Sequence, residues 1–163
     1  MYSKIYKNFS EECVINWMEL EKKSNNYIFQ SFEWNYNWYL ANADSSIDLF
    51  FIFIFSDDHI PLALWPLQIY RLFSFSFITF MGDYLYDYFA PLLSDDLYNN
   101  GMYLNTFDFV CNKIPDVDFI LFHRIPKVFP NSGKLNFTNI EPLVIEHSYQ
   151  LKYNNKQLKD ISC

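Results

Sequence analysis

Between Ile47 and Met81 the chain is almost continuously apolar. Such a stretch raises the question of a passage through lipid, to be weighed against strands inside a folded core. A bilayer crossing needs about twenty uninterrupted apolar residues. The first run, Ile47 to Phe55, stops after nine at Ser56-Asp57-Asp58-His59. The second, Ile60 to Met81, is long enough but carries Pro61, Pro66, Gln68 and Arg71. From Phe73 it alternates, with Phe73, Phe75 and Phe77 on one face and Ser74 and Ser76 on the other, which is strand periodicity. The stretch therefore predicts strands. Ile47–Phe55 and Pro61–Tyr70 form a hairpin across the acidic turn, and Phe73–Phe80 is a third strand ending at Gly82. Pro66 has no N–H to give a ladder, so a bulge or an edge position is expected there. A loop from Asp83 to Asp87 leads to a short fourth strand over about Tyr88–Leu93.

Helices are expected on both sides of this block. Ser10 followed by Glu11 and Glu12 is a helix start, since a hydroxyl caps free amides and carboxylates suit the positive end of the helix dipole. Val14, Trp17 and Met18 then share a face. A second start at Ser31, with Glu33 in the first turn, puts Trp34, Trp38 and Ala41 on one stripe that ends at the Asn and Asp residues of 42–44. Asp95 and Asp96 are expected to cap a third helix reaching about Asn112, with Leu104, Phe107, Val110 and Cys111 as its apolar stripe, although Gly101 interrupts it. Val117–Phe122 is a continuous apolar run suited to a strand covered on both faces, and a further short strand is expected near Leu143–Glu146. The order predicts an α+β fold, an α/β sandwich. Its largely antiparallel mixed sheet has two N-terminal helices and one helix crossing between later strands.

At 163 residues and 51% hydrophobic content the chain can bury a core without metal or disulfide staples. A net charge of -7 and only two arginines, Arg71 and Arg124, exclude a basic phosphate-tracking surface, so no nucleic-acid partner is expected. The three glycines, Gly82, Gly101 and Gly133, lie far apart, which rules out a glycine-rich phosphate loop within these residues. Cys13, Cys111 and Cys163 make neither a zinc cluster nor a disulfide framework and read as reduced, buried thiols. Met1 to Phe9 has no apolar segment of the secretory kind, so a cytoplasmic location is expected. The lysine-rich end at Cys163 reads as the edge of a fragment.

His59, His123 and His147 stand singly, with no second ligand at helical or strand spacing, so no metal is expected. His123 ends an apolar strand, where an imidazole can act as a base or serve structurally. Asp83 and Asp87 flank Tyr84-Leu85-Tyr86 in a loop after a glycine-terminated strand, a place where sites or simple Asx turns are built. The aromatic helix offers either a stacking wall for a sugar or acyl chain or plain core. Trp34 and Trp38 are read as core, and Tyr36 and Tyr39 as amphipathic surface positions.

Six short pieces in order then suggest a family. They are Phe29-Gln30-Ser31-Phe32-Glu33-Trp34 with Trp38, Leu64-Trp65-Pro66-Leu67, Met81-Gly82, Asp87-Tyr88, Asp118-Phe119-Ile120-Leu121, and His123-Arg124-Ile125-Pro126. Over about residues 10–126 the chain resembles the N-terminal half of the FemAB-like acetyltransferases, and within them the cellulose-biosynthesis-type GNAT acyltransferases. The resemblance implies two tandem GNAT-like domains, the second of which holds acyl-CoA. Residues 1–142 would be the first domain, and 143–163 the start of the second or a tail. It implies no cofactor in this chain alone, with acyl-CoA belonging to the missing half. Its acceptor would be a sugar or cell-envelope precursor. Gln30, Tyr88 and Arg124 would bind substrate, and His123, or Asp87 through a water, would act as base.

The expected function is thus the acceptor-side half of a tandem N-acyltransferase. The alternative is a non-catalytic module that pairs through an exposed sheet edge with a second GNAT half or another copy. A hydrolase using Asp83 and Asp87 is a third possibility.

Overall fold

In the computed structural model the elements run β1 (Tyr2–Tyr6), α1 (Glu11–Glu21), a 3₁₀ turn (Ile28–Gln30), α2 (Phe32–Ala41), β2 (Asp48–Phe55), β3 (Pro61–Leu72), β4 (Phe75–Phe80), β5 (Leu92–Leu93), α3 (Asp95–Asn99) and β6 (Phe119–Leu121). The structure describes residues 1–42, 47–82, 89–100, 102, 106–107, 109–110, 112–122 and 124. The sheet order is β1-β2-β3-β4-β6, with β5 on β3. Every pair is antiparallel except β4 with β6. This is the α+β class and largely antiparallel mixed sheet that the sequence predicts.

The apolar stretch forms the centre. In β2, Phe50, Ile52 and Ile54 face one core with Ala63, Trp65, Leu67 and Ile69 of β3, while Leu49, Phe51, Phe53 and Phe55 face a second core with Leu64. Because both faces are covered, the strands read as unbroken apolar runs. The second core is closed by Cys13, Trp17 and Leu20 of α1, and the first by Leu97 of α3 together with Phe107 and Val110. Trp65 has no exposed surface and lies 5.7 Å from Phe80, 5.7 Å from Phe107 and 5.8 Å from Phe122 between ring centroids. Truncating such a ring to alanine costs about 3–5 kcal/mol.

Pro66 is neither at an edge nor at a bulge. It lies inside β3, paired with Phe51 of β2, and the one register shift falls at Ile54/Phe55. On its other side β3 pairs with β5 through Ala63 and Leu64 and with β4 from Leu67 onward. Pro66 occupies the step between those partners, where its carbonyl accepts from Met81 N at 2.8 Å. Lacking an N–H, Pro66 contributes only its acceptor to the ladder at this step.

Several local expectations are corrected. β1 is an added edge strand. It was hidden by its polar, lysine-bearing composition, yet Tyr2 stacks on Phe55 at 5.3 Å and Tyr6 meets Phe53 edge-on at 5.4 Å. Its Lys4 reaches Glu12 of α1 at 2.5 Å, a charge that blunts the edge. The buried face of α1 is Cys13, Trp17 and Leu20, while Met18 is 46% exposed, so the stripe is rotated from the expected one. β4 begins at Phe75, since Phe73 sits in the turn at φ 56° and is 95% exposed.

Ser94, not Asp95 or Asp96, caps α3, with Leu97 N donating to its hydroxyl at 3.5 Å. The two aspartates occupy the first turn, and α3 ends at Asn99 ahead of Gly101. Residues 106–107 and 109–110 are helical again. Only Leu92–Leu93 of the expected fourth strand pairs among the described residues. β6 is three residues long at the sheet's edge, and Phe119, Ile120 and Leu121 are 45%, 43% and 38% exposed rather than covered. Its apolarity matches a covered strand in composition, but among the described residues β4 is its one strand neighbour. The region of Leu143–Glu146 lies outside the described residues.

Candidate functional site

The 3₁₀ turn and α2 are fixed by one buried amide. Gln30 is 6% exposed; its Oε1 accepts from Tyr27 N at 2.8 Å, and its Nε2 donates to Pro91 O at 2.7 Å and Ala90 O at 3.3 Å. The Gln30 carbonyl accepts from Trp17 Nε1 at 3.0 Å, which ties the turn to α1 as well. A buried carboxamide must find such partners, and here they are main-chain groups of Tyr27, Ala90 and Pro91. Phe89 N in turn donates to the Arg124 carbonyl at 3.2 Å. Gln30, the 89–91 segment and Arg124 are thus drawn together by main-chain contacts, although they are far apart in sequence. Arg124 adopts φ 57°, a left-handed conformation that costs a non-glycine residue about 1 kcal/mol.

Of the residues singled out from sequence, the structure brings Gln30 and Arg124 to this junction. The Gln30 carboxamide is held by protein groups, so its observed contacts position the 89–91 segment. His123, Asp83, Asp87 and Tyr88 lie outside the described residues. His59 is in the hairpin turn at φ 63°, with its Nδ1 2.6 Å from the Tyr2 hydroxyl. Among the described residues no group of three or more His, Cys, Asp or Glu could hold a metal ion. No helix among them is long and apolar enough to cross a membrane.

The second feature is a groove along α2. Ser31 caps the helix through Trp34 N at 3.3 Å, and Asn35, 1% exposed, anchors it by donating to Phe29 O and Ser31 O, both at 2.8 Å. With Asn35 buried, Trp34 and Ala41 of the Trp34–Trp38–Ala41 stripe are exposed at the helix surface. Trp34 is 38% exposed and is not the core residue the sequence suggests; Trp38 packs partly against both cores. That stripe lines a groove of about 480 Å³ together with Ile28, Ser31, Glu33, Asn37 and Asn42. Phe29 meets the Trp34 ring edge-on at 5.2 Å and fixes its plane. The core reading holds in part for Trp38 and fails for Trp34, because a 3.6-residue stripe does not fix how far around the helix the buried face extends.

Cys13 is fully buried and burial pushes its thiol up to about 12, with the Glu12 carboxylate adding to the effect. It is a core residue without nucleophilic character.

No family model matches the chain, and no curated protein matches it. Among solved structures, the apo crystal structure of an aminoglycoside antibiotic 6'-N-acetyltransferase from Acinetobacter haemolyticus is similar at 15% identity and a TM-score of 0.43, over 93% of this chain and 100% of that one.

Proposed function

We propose that the chain is the acceptor-side domain of a GNAT-like, FemAB-like acyltransferase, acting with an acyl-CoA-binding domain supplied by a second half. The observation that carries this reading is the parallel pairing of β6 on β4, Phe77 with Phe119 through Thr79 with Leu121, at the end of an otherwise antiparallel sheet. With two helices ahead of the hairpin and helical residues between β4 and β6, this is the layout the motif resemblance implies. The scattered glycines support leaving acyl-CoA to the other half, and the boundary near residue 142 belongs to the same proposal.

The acceptor is an amine or hydroxyl on a sugar or cell-envelope precursor. It attacks the thioester carbonyl, the C–S bond breaks, and the acceptor proton leaves to a base while the thiolate departs. His123, or Asp87 through a water, takes that proton in this proposal. Arg124, next to His123, and Phe89, two residues after Asp87, are hydrogen-bonded to each other in the Gln30 junction. Arg124 and Tyr88 contact the acceptor, and Gln30 serves through the segment it holds.

A nuclear magnetic resonance titration of the ¹⁵N-labelled chain with glucosamine tests the acceptor side. Saturable shifts of the Phe89, Ala90 and Arg124 amides are expected. Unmoved junction amides at millimolar sugar would overturn the assignment of the acceptor to this junction.

One observation favours a second reading, a pairing module. β6 leaves an apolar edge, and Tyr70, Phe77 and Phe119 stack across β3, β4 and β6 at 5.1 and 5.0 Å, with Phe119 45% exposed at the end. Sedimentation velocity over a concentration series checks it. Self-association abolished by Phe119→Lys would support it, and a monomer at all concentrations would remove self-pairing.

A further inference from the structure

We propose that the groove along α2 is a binding site for a small primary ammonium ion carried on an apolar body. This does not depend on acyl transfer. Its volume, about 480 Å³, suits a small molecule. Its walls are two indoles, Trp34 and Trp38, and indole faces attract cations more strongly than other aromatic side chains do.

The polar groups around these walls are arranged for positive charge. Glu33 is the one charged residue lining the groove among the described residues, and its carboxylate makes no hydrogen bond or ion pair among them. Asn37 Nδ2 donates to the Glu33 carbonyl at 2.8 Å and Asn42 Nδ2 to the Trp38 carbonyl at 2.8 Å, which commits one N–H of each amide within the helix. The Ser31 hydroxyl donates to Ile28 O at 2.8 Å and accepts from Trp34 N.

The far end of the groove, at Ala41 and Asn42, is the C-terminus of a ten-residue helix whose last turn holds no basic residue, so its partial negative charge is uncompensated by the helix itself. An ammonium ion gains from the indoles, the carboxylate and the helix end. Ile28, 62% exposed, and Ala41 accommodate the apolar body.

The test is a titration of the ¹⁵N-labelled chain with hexylammonium and, separately, with its neutral counterpart hexan-1-ol, following the indole N–H resonances. The Trp34 and Trp38 resonances should shift saturably with hexylammonium while that of the buried Trp17 stays fixed. Binding should be about tenfold tighter than for the alcohol and about threefold weaker in Glu33→Gln, a surface substitution. Trp34→Ala should remove most of the binding. Equal affinity for ammonium and alcohol, an unchanged affinity in Glu33→Gln, or no shift at Trp34 and Trp38 would each overturn the proposal.

Discussion

The carboxylate of Asp118 accepts from both the amide and the hydroxyl of Ser76, at 2.7 and 2.8 Å, and the Asp118 amide donates back to the Ser76 carbonyl at 3.1 Å. This two-way contact starts the parallel pairing of β6 on β4 and so fixes the end of the crossover. It also holds the Asp118 carboxyl below the usual carboxylate range, chiefly through the Ser76 amide and then through its hydroxyl.

A group whose folded pKa is depressed contributes stability above its unfolded pKa, about 3.9 for aspartate, and loses it as pH falls through the folded value. The wild-type chain should therefore be more stable than Asp118→Asn at pH 6. The urea midpoints of the two should converge as pH falls below about 4. Parallel midpoints across that window would show that the carboxylate does not secure β6.

The Gln30 amide bridges the 3₁₀ turn to Ala90 and Pro91. Gln30→Ala should cost about 2 kcal/mol in urea unfolding, because it leaves buried main-chain groups unpaired. Gln30→Glu should cost more at pH 7, where a carboxylate would face two carbonyl oxygens, and the difference should narrow in acid as the side chain regains a donor. Equal stability of the glutamate variant and the wild type at pH 7 would contradict the bridge.

Cys13, with its thiol pushed up to about 12, should resist modification. At pH 8 the thiolate fraction of such a group is on the order of 10⁻⁴. In a Cys111→Ser/Cys163→Ser background, the reaction with an aromatic disulfide reagent should proceed only at the rate of unfolding. Rapid labelling of the native chain would show that α1 opens far more readily than its packing implies.

The hairpin, the Ser10 and Ser31 caps and the fold class were legible because each rests on local chemistry: β-branched and aromatic runs, an acidic turn, a hydroxyl before carboxylates. What was not legible depends on neighbours distant in sequence. Trp34, Trp38 and Ala41 share one helical stripe, but with Asn35 buried only Trp38 reaches the cores while Trp34 and Ala41 stay exposed. Pro66 marks an edge in isolation, whereas here it fills the step between β5 and β4 as partners of β3. Phe119–Leu121 has the composition of a covered strand and lies exposed at the sheet margin. Of the candidate site, Gln30 was found by its motif, but its role as a clamp on Ala90 and Pro91 needed the tertiary contact. The Asp118–Ser76 contact had no signal in either segment.

The central claim, an acceptor-side domain that leaves acyl-CoA to another half, is tested most directly by calorimetric titration of the chain with acetyl-CoA and a longer acyl-CoA to millimolar ligand. The account predicts no saturable heat from either. One-to-one saturable binding of either would contradict it, placing the acyl donor within these residues despite their scattered glycines.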